Sequence, residues 1–153
     1  MLDRDCIIVT IKVFNMIKEI VKDQMFLSQK SKDVSLNEIY IGQDLLDTLA
    51  FHQHECVGMA ANMIGYLYNV IVFYDEKTKQ NIVMYNPRII SCKDEYETEE
   101  GCLSLEGKRK TKRYDTIVVE YNNHKLENKK STYHGFTAEI IQHEIDMCNG
   151  ILI

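Results

Sequence analysis

The chain has little that would mark it as modular. One proline, Pro87, and seven glycines in 153 residues, with no repeat and no low-complexity tract, leave nothing that reads as a linker. Long apolar runs are missing: none reaches the roughly 18 residues a membrane-spanning helix needs. The short apolar run near the N-terminus follows two acidic residues, which argues against a secretory signal. Positive charge is not in excess either. Eighteen basic residues against 23 acidic ones give a net charge of −5, so neither direct nucleic-acid binding nor anionic-membrane binding is expected. The five cysteines (Cys6, Cys56, Cys92, Cys102 and Cys148) are odd in number and scattered. That excludes a disulfide framework, fits a reducing cytoplasm and leaves thiolates free to act as ligands.

What is present suits one domain, since 45% of residues are hydrophobic. Residues 1–15 read as an N-terminal extension, either poorly ordered or an added edge strand, because Met16 opens a plausible start of its own; residues 16–153 form the domain. From Gly42 to His54, Leu45, Leu46, Leu49 and Ala50 recur at helical spacing opposite Asp44 and Asp47, which predicts an amphipathic helix. Segments 70–74, 81–85, 88–92 and 116–121 are rich in branched and aromatic residues and are separated by polar turns, so they read as antiparallel strands. A last helix carries Phe136, Ile140, Ile141, Ile145 and Cys148, with Thr137 as its N-cap and Gly150 as its terminator. An acidic run (93–100) precedes a basic one (107–113). The pair admits docking on a nucleic-acid-rich surface such as the ribosome, but solvated loop residues attracting each other across a turn are the simpler reading.

Chemistry concentrates on that last helix. In His143-Glu144-Ile145-Asp146-Met147 a helix places positions i and i+4 on one face. With histidine at both, such a segment grips a divalent metal while the glutamate handles protons. Here the second position is Met147, and His143-Glu144 alone would be an ordinary helix dipeptide.

Two further islands change that reading: Cys56-Val57-Gly58-Met59-Ala60-Ala61-Asn62-Met63, then Glu100-Gly101-Cys102-Leu103-Ser104. In this order, with Gln142-His143-Glu144-Ile145-Asp146, the three islands resemble the motifs of peptide deformylases. The second matches fully, the third in all but its last residue, and the first in part. Asn86-Pro87, Gly135-Phe136-Thr137-Ala138-Glu139-Ile140-Ile141 and Asn149-Gly150-Ile151 extend the likeness over about residues 16 to 153. Cys56 in place of a glycine, and an end at Ile153 where longer members continue, resemble a short, C-terminally abbreviated branch.

The resemblance implies an α+β fold, antiparallel strands around a central helix carrying His143 and Glu144. It implies metal-dependent hydrolysis of the N-formyl group from N-formylmethionyl peptides or nascent chains. Cys102 and His143 would be metal ligands with position 147 as the third, and the divalent ion would be Fe2+ or Zn2+. Glu144 would be general base and acid, taking a proton from the attacking water and delivering one to the leaving amine. The Leu103 N–H would meet the oxyanion, beside a glutamine amide that is replaced here by Met63. Losing such a donor typically lowers the rate about 10²- to 10³-fold, unless Asn62 or a water substitutes. The Met147 thioether is a poor partner for zinc or ferrous iron, so metal affinity should fall. The peptide would lie as an extra strand along Val57 and Gly58, near Glu100 and Gly101. Its methionine would enter a pocket of Val57, Phe136 and Ile140 that Arg109 helps to close. The competing reading is a catalytically inactive member that only binds peptides.

Overall fold

The computed structural model describes residues 17–153, so the expected extension over residues 1–15 lies outside the described residues. A short helix α1 (Gln24–Leu27) is capped by Asp23, whose carboxylate accepts from the Met25 N–H at 3.0 Å. Helix α2 (Tyr40–Phe51) follows, then strands β1 (Gly58–Ala60), β2 (Val70–Asp75), β3 (Gln80–Cys102), β4 (Leu105–Asn122) and β5 (Asn128–His134), and finally helix α3 (Gly135–Cys148). The strands form one sheet in the order β1-β2-β3-β4-β5, every pair antiparallel. Helix α3 packs against β1, β2 and β4, and α2 packs against β2 and β3. The α+β expectation is met.

Periodicity explains the core. Leu45 and Leu49 of α2, Ile71 and Phe73 of β2, Ile117 and Val119 of β4, and Ile141 and Met147 of α3 are all buried together. Each such side chain contributes about 1.5–3 kcal/mol of hydrophobic stabilisation. The last helix ends as expected, with Gly150 at φ +74° just past its cap, while the Ile151 N–H closes on Asp146 O at 2.9 Å. Among the described residues no helix is long and apolar enough to cross a membrane.

Several expectations need correction. Segments 81–85 and 88–92 belong to one long strand, β3, whose register shifts between Tyr85 and Arg88. Asn86 absorbs that shift at φ 51°, its side chain accepting from the Val34 N–H at 2.8 Å. The acidic and basic runs are not loops but facing strands, with Glu97 opposite Lys112 and Glu99 opposite Lys110. Low hydrophobicity hid them, although inward Tyr96 and Glu100 alternate with outward Glu97 and Glu99. Strand β5, which is mostly polar and exposed, was likewise invisible. Thr137 is not the cap of α3: the helix starts at Gly135 after His134, and the Thr137 hydroxyl accepts from the Glu76 N–H at 3.4 Å.

Candidate active site

Strand β3 ends at Cys102, and a two-residue turn of Leu103 and Ser104 leads into β4, pairing Cys102 with Leu105. This turn sets the thiol at the end of a long ribbon, over helix α3. On α3, Phe136, Glu139, Ile140 and His143 follow at i, i+3, i+4 and i+7 and therefore share one face. That face is the floor of a cleft of about 590 Å³. Cys56, Val57, Gly58 and Met63 form one wall, and Glu99 to Leu103 with Gly107 and Lys108 form the other. Gly58 is required by the close approach of β1 to α3: a Cβ there would lie 2.6 Å from Ile140 Cγ2 and 2.7 Å from Glu144 Oε2.

His143 is the hub. Its ring nitrogen Nδ1 lies 2.9 Å from Glu100 Oε1, and since Glu100 is ionised, Nδ1–H is the donor. That leaves the other side of the imidazole to Cys102, which lies near enough to favour its protonated form. Burial alone would lower the His143 pKa, but Cys102 and Glu100 outweigh it and push it up to about 11. Glu100 in turn takes a two-pronged bond from Arg113, Nε at 2.9 Å and Nη2 at 2.7 Å. The remaining Arg113 nitrogen, Nη1, reaches Asp146 Oδ2 at 2.7 Å. Burial works against the Glu100 charge, yet His143 and Arg113 hold its carboxyl down at about 2.

Glu144 is the opposite case. It is 4% exposed, and its Oε1 has no hydrogen-bond partner. Desolvation pushes its pKa up to about 7, with His143 pulling the other way. Cys56 donates its thiol to Gly58 O at 2.7 Å, and its pKa is raised to about 12 by burial and by Glu144.

The structure thus brings Cys102, His143, Glu144, Leu103, Met63, Val57, Gly58, Glu100, Gly101, Phe136 and Ile140 around one cleft. Arg109 and Met147 are not among the residues that line it. The Arg109 guanidinium reaches the Ile153 carbonyl at 3.4 Å, and Met147 is fully buried in the core. Glu100 backs the His143 ring and has no oxygen free of His143 and Arg113. Asn62 cannot supply the missing amide, because its Nδ2 already serves the carbonyls of Met147 at 2.7 Å and Leu27 at 3.3 Å. The Met63 sulfur accepts from the Ala60 N–H at 3.5 Å, and the side chain has no donor of its own. Sequence reasoning missed Arg113, Glu139 and Tyr96. Arg113 was one cation among five in a basic run, and only its alternation with Glu100 across the ribbon could have separated it.

A divalent ion would find few donors among these residues. Among the described residues no three His, Cys, Asp or Glu side chains are grouped to hold an ion. Cys102 and His143 fit, since a thiolate and an imidazole whose second nitrogen is fixed by a carboxylate make a strong donor pair, with an unpartnered Glu144 oxygen in the same cleft. Position 147 adds only a thioether.

Comparison with known proteins gives the same outline. The family model described as polypeptide deformylase matches residues 17–153. The peptide deformylase of Clostridium beijerinckii is 50% identical over 140 residues, covering 90% of this chain and 100% of that protein. Peptide deformylase 3 of Shewanella oneidensis is 33% identical over 125 residues, covering 80% of this chain and 76% of its own. Among solved structures, the class I type b peptide deformylase of Acinetobacter baumannii bound to Met-Ala-Ser superposes with a TM-score of 0.79 at 27% identity, over 89% of this chain and 96% of that one.

Proposed function

Because the chain belongs to the polypeptide deformylase family of metallo-hydrolases, we propose that it removes the N-formyl group from N-formylmethionyl peptides and nascent chains near the ribosome in the cytoplasm, more slowly than a member with the full ligand set. The observation that carries this reading is the Cys102–His143 pair beside a buried Glu144 oxygen that has no partner.

The peptide backbone would run along Val57 and Gly58 and hydrogen bond to the strand edge. Val57, Phe136 and Ile140 would surround the methionine side chain. Glu144, poised at about 7, takes the proton of the water that attacks the formyl carbon and passes it to the departing nitrogen. The C–N bond breaks, leaving formate and a free amine. The Leu103 N–H donates to the oxygen that gains charge, and Met63 leaves that oxygen one donor short. Cys102 and His143 would hold the divalent ion, Fe2+ or Zn2+, with the Met147 thioether as a weak third donor; when bound, the ion polarises the formyl oxygen and acidifies water.

Met147→His tests the proposal. Metal content and formate release from formyl-Met-Ala-Ser should both rise, the latter by about tenfold or more. If neither rises, missing ligation is not what slows this protein. The burial of Met147 also favours a second reading, peptide binding without hydrolysis. In that case affinity for the formyl peptide would survive Glu144→Gln with no formate released by either form.

A further inference from the structure

Strand β1 ends the sheet, so only one of its sides is paired, with β2. The Val57 carbonyl accepts from the Tyr74 N–H at 2.8 Å and therefore points toward β2. Backbone groups alternate along a strand, so the N–H and carbonyl of Gly58 point the other way, out of the sheet edge at the cleft wall. That edge is where an added peptide strand would pair. Two of the chain's own sulfur side chains already sit on it. Cys56 donates its thiol to Gly58 O at 2.7 Å, and the Ala60 N–H donates to the Met63 sulfur at 3.5 Å.

The thiol remains a donor at neutral pH, because burial and the neighbouring Glu144 push its pKa up to about 12. A sulfur 2.7 Å from the carbonyl oxygen stands in the path of an incoming main-chain N–H. It must rotate away before a peptide can take the Gly58 carbonyl. An S–H group is a weaker donor than an amide N–H, so the exchange favours the peptide but recovers less than a full hydrogen bond.

We propose that Cys56 is a latch on the substrate-binding edge: its thiol holds the Gly58 carbonyl until a peptide N–H displaces it, which lowers affinity for the peptides that pair with β1. This rests on the reading of the cleft as a peptide site, but the latch is a property of binding and not of hydrolysis. An open sheet edge also invites pairing with unrelated extended chains, and an occupied carbonyl blunts that tendency.

The test measures affinity and formate release with formyl-Met-Ala-Ser for the native chain, Cys56→Ala and Cys56→Ser, two variants that alter only the sulfur atom. Cys56→Ala has no donor and should bind about fivefold more tightly, with the change falling in KM far more than in kcat. Cys56→Ser keeps a hydroxyl donor at the same place and should stay close to the native affinity. A cysteine that served packing alone would give a Cys56→Ala chain that binds no better than the native one. That result, or alanine and serine variants that bind alike, overturns the latch and leaves the deformylase reading standing if formate is released. Failure of the peptide to bind any form overturns both readings. The expected order of affinities without formate from any form overturns hydrolysis alone.

Discussion

Glu100 and Glu144 are both buried, both line the cleft and both neighbour His143, yet they sit in contrasting regions. Glu100 lies on the β3–β4 ribbon, where Arg113 and His143 take up both oxygens. Glu144 lies where α3 meets β1, in a slot kept open by Gly58, with one oxygen unpartnered. One is held charged at about 2 and the other is poised near 7. A partnered carboxylate orients a neighbour, whereas an unpartnered one at neutral pKa can exchange a proton.

Breaking the Glu144 side should have the largest effect. Glu144→Gln should lower formate release about 10²- to 10⁴-fold while leaving the fold intact, as judged by circular dichroism and thermal melting. Arg113→Met strikes the other side. It leaves Glu100 buried with His143 as its sole partner and should destabilise the chain by about 3–5 kcal/mol in urea unfolding. Replacing Glu100 and Arg113 together by apolar residues should recover much of that loss, while formate release falls because His143 is no longer oriented.

The pH dependence of stability sharpens the contrast. Glu144 has a folded pKa of about 7, above its unfolded value, so the folded state binds the extra proton and stability falls as pH rises from about 4.5 to 7, by on the order of 3 kcal/mol. Glu100 is depressed to about 2, so its contribution is present above about 4.5 and is lost as pH falls toward 2. Unfolding of Glu144→Gln between pH 5 and 8 should lack the first slope and keep the acid one. The smallest effect belongs to the outer face of the same ribbon. Lys112 and Glu95 are 3.9 Å apart and exposed, so Lys112→Gln should change stability by less than about 1 kcal/mol.

The ribbon also shows what a linear reading misses. Residues 93–100 and 107–113 look like two solvated charged runs because their neighbours in sequence are charged. Their partners in space turn them into paired strands and isolate Glu100 and Arg113 as a buried ion pair. Helix α2, by contrast, was legible because Leu45 and Leu49 repeat with a period set by the helix itself. Thr137 misled because Ser and Thr serve caps and long-range bonds equally well, and the Glu76 backbone claimed it.

By itself the sequence determined the family and the residue types at the centre. Glu-Gly-Cys-Leu-Ser and Gln-His-Glu-x-Asp are contiguous, and each is short enough to be set by local backbone geometry. The methionines at 63 and 147 were likewise plain from the text alone. Only the tertiary structure decided which carboxylate is charged, which oxygen lacks a partner, that Arg109 turns to the Ile153 carbonyl, and that Met147 is fully buried. Desolvation and charge pairing depend on atoms distant in the chain, and folding alone brings Arg113, His143 and Cys102 to one carboxylate's neighbourhood.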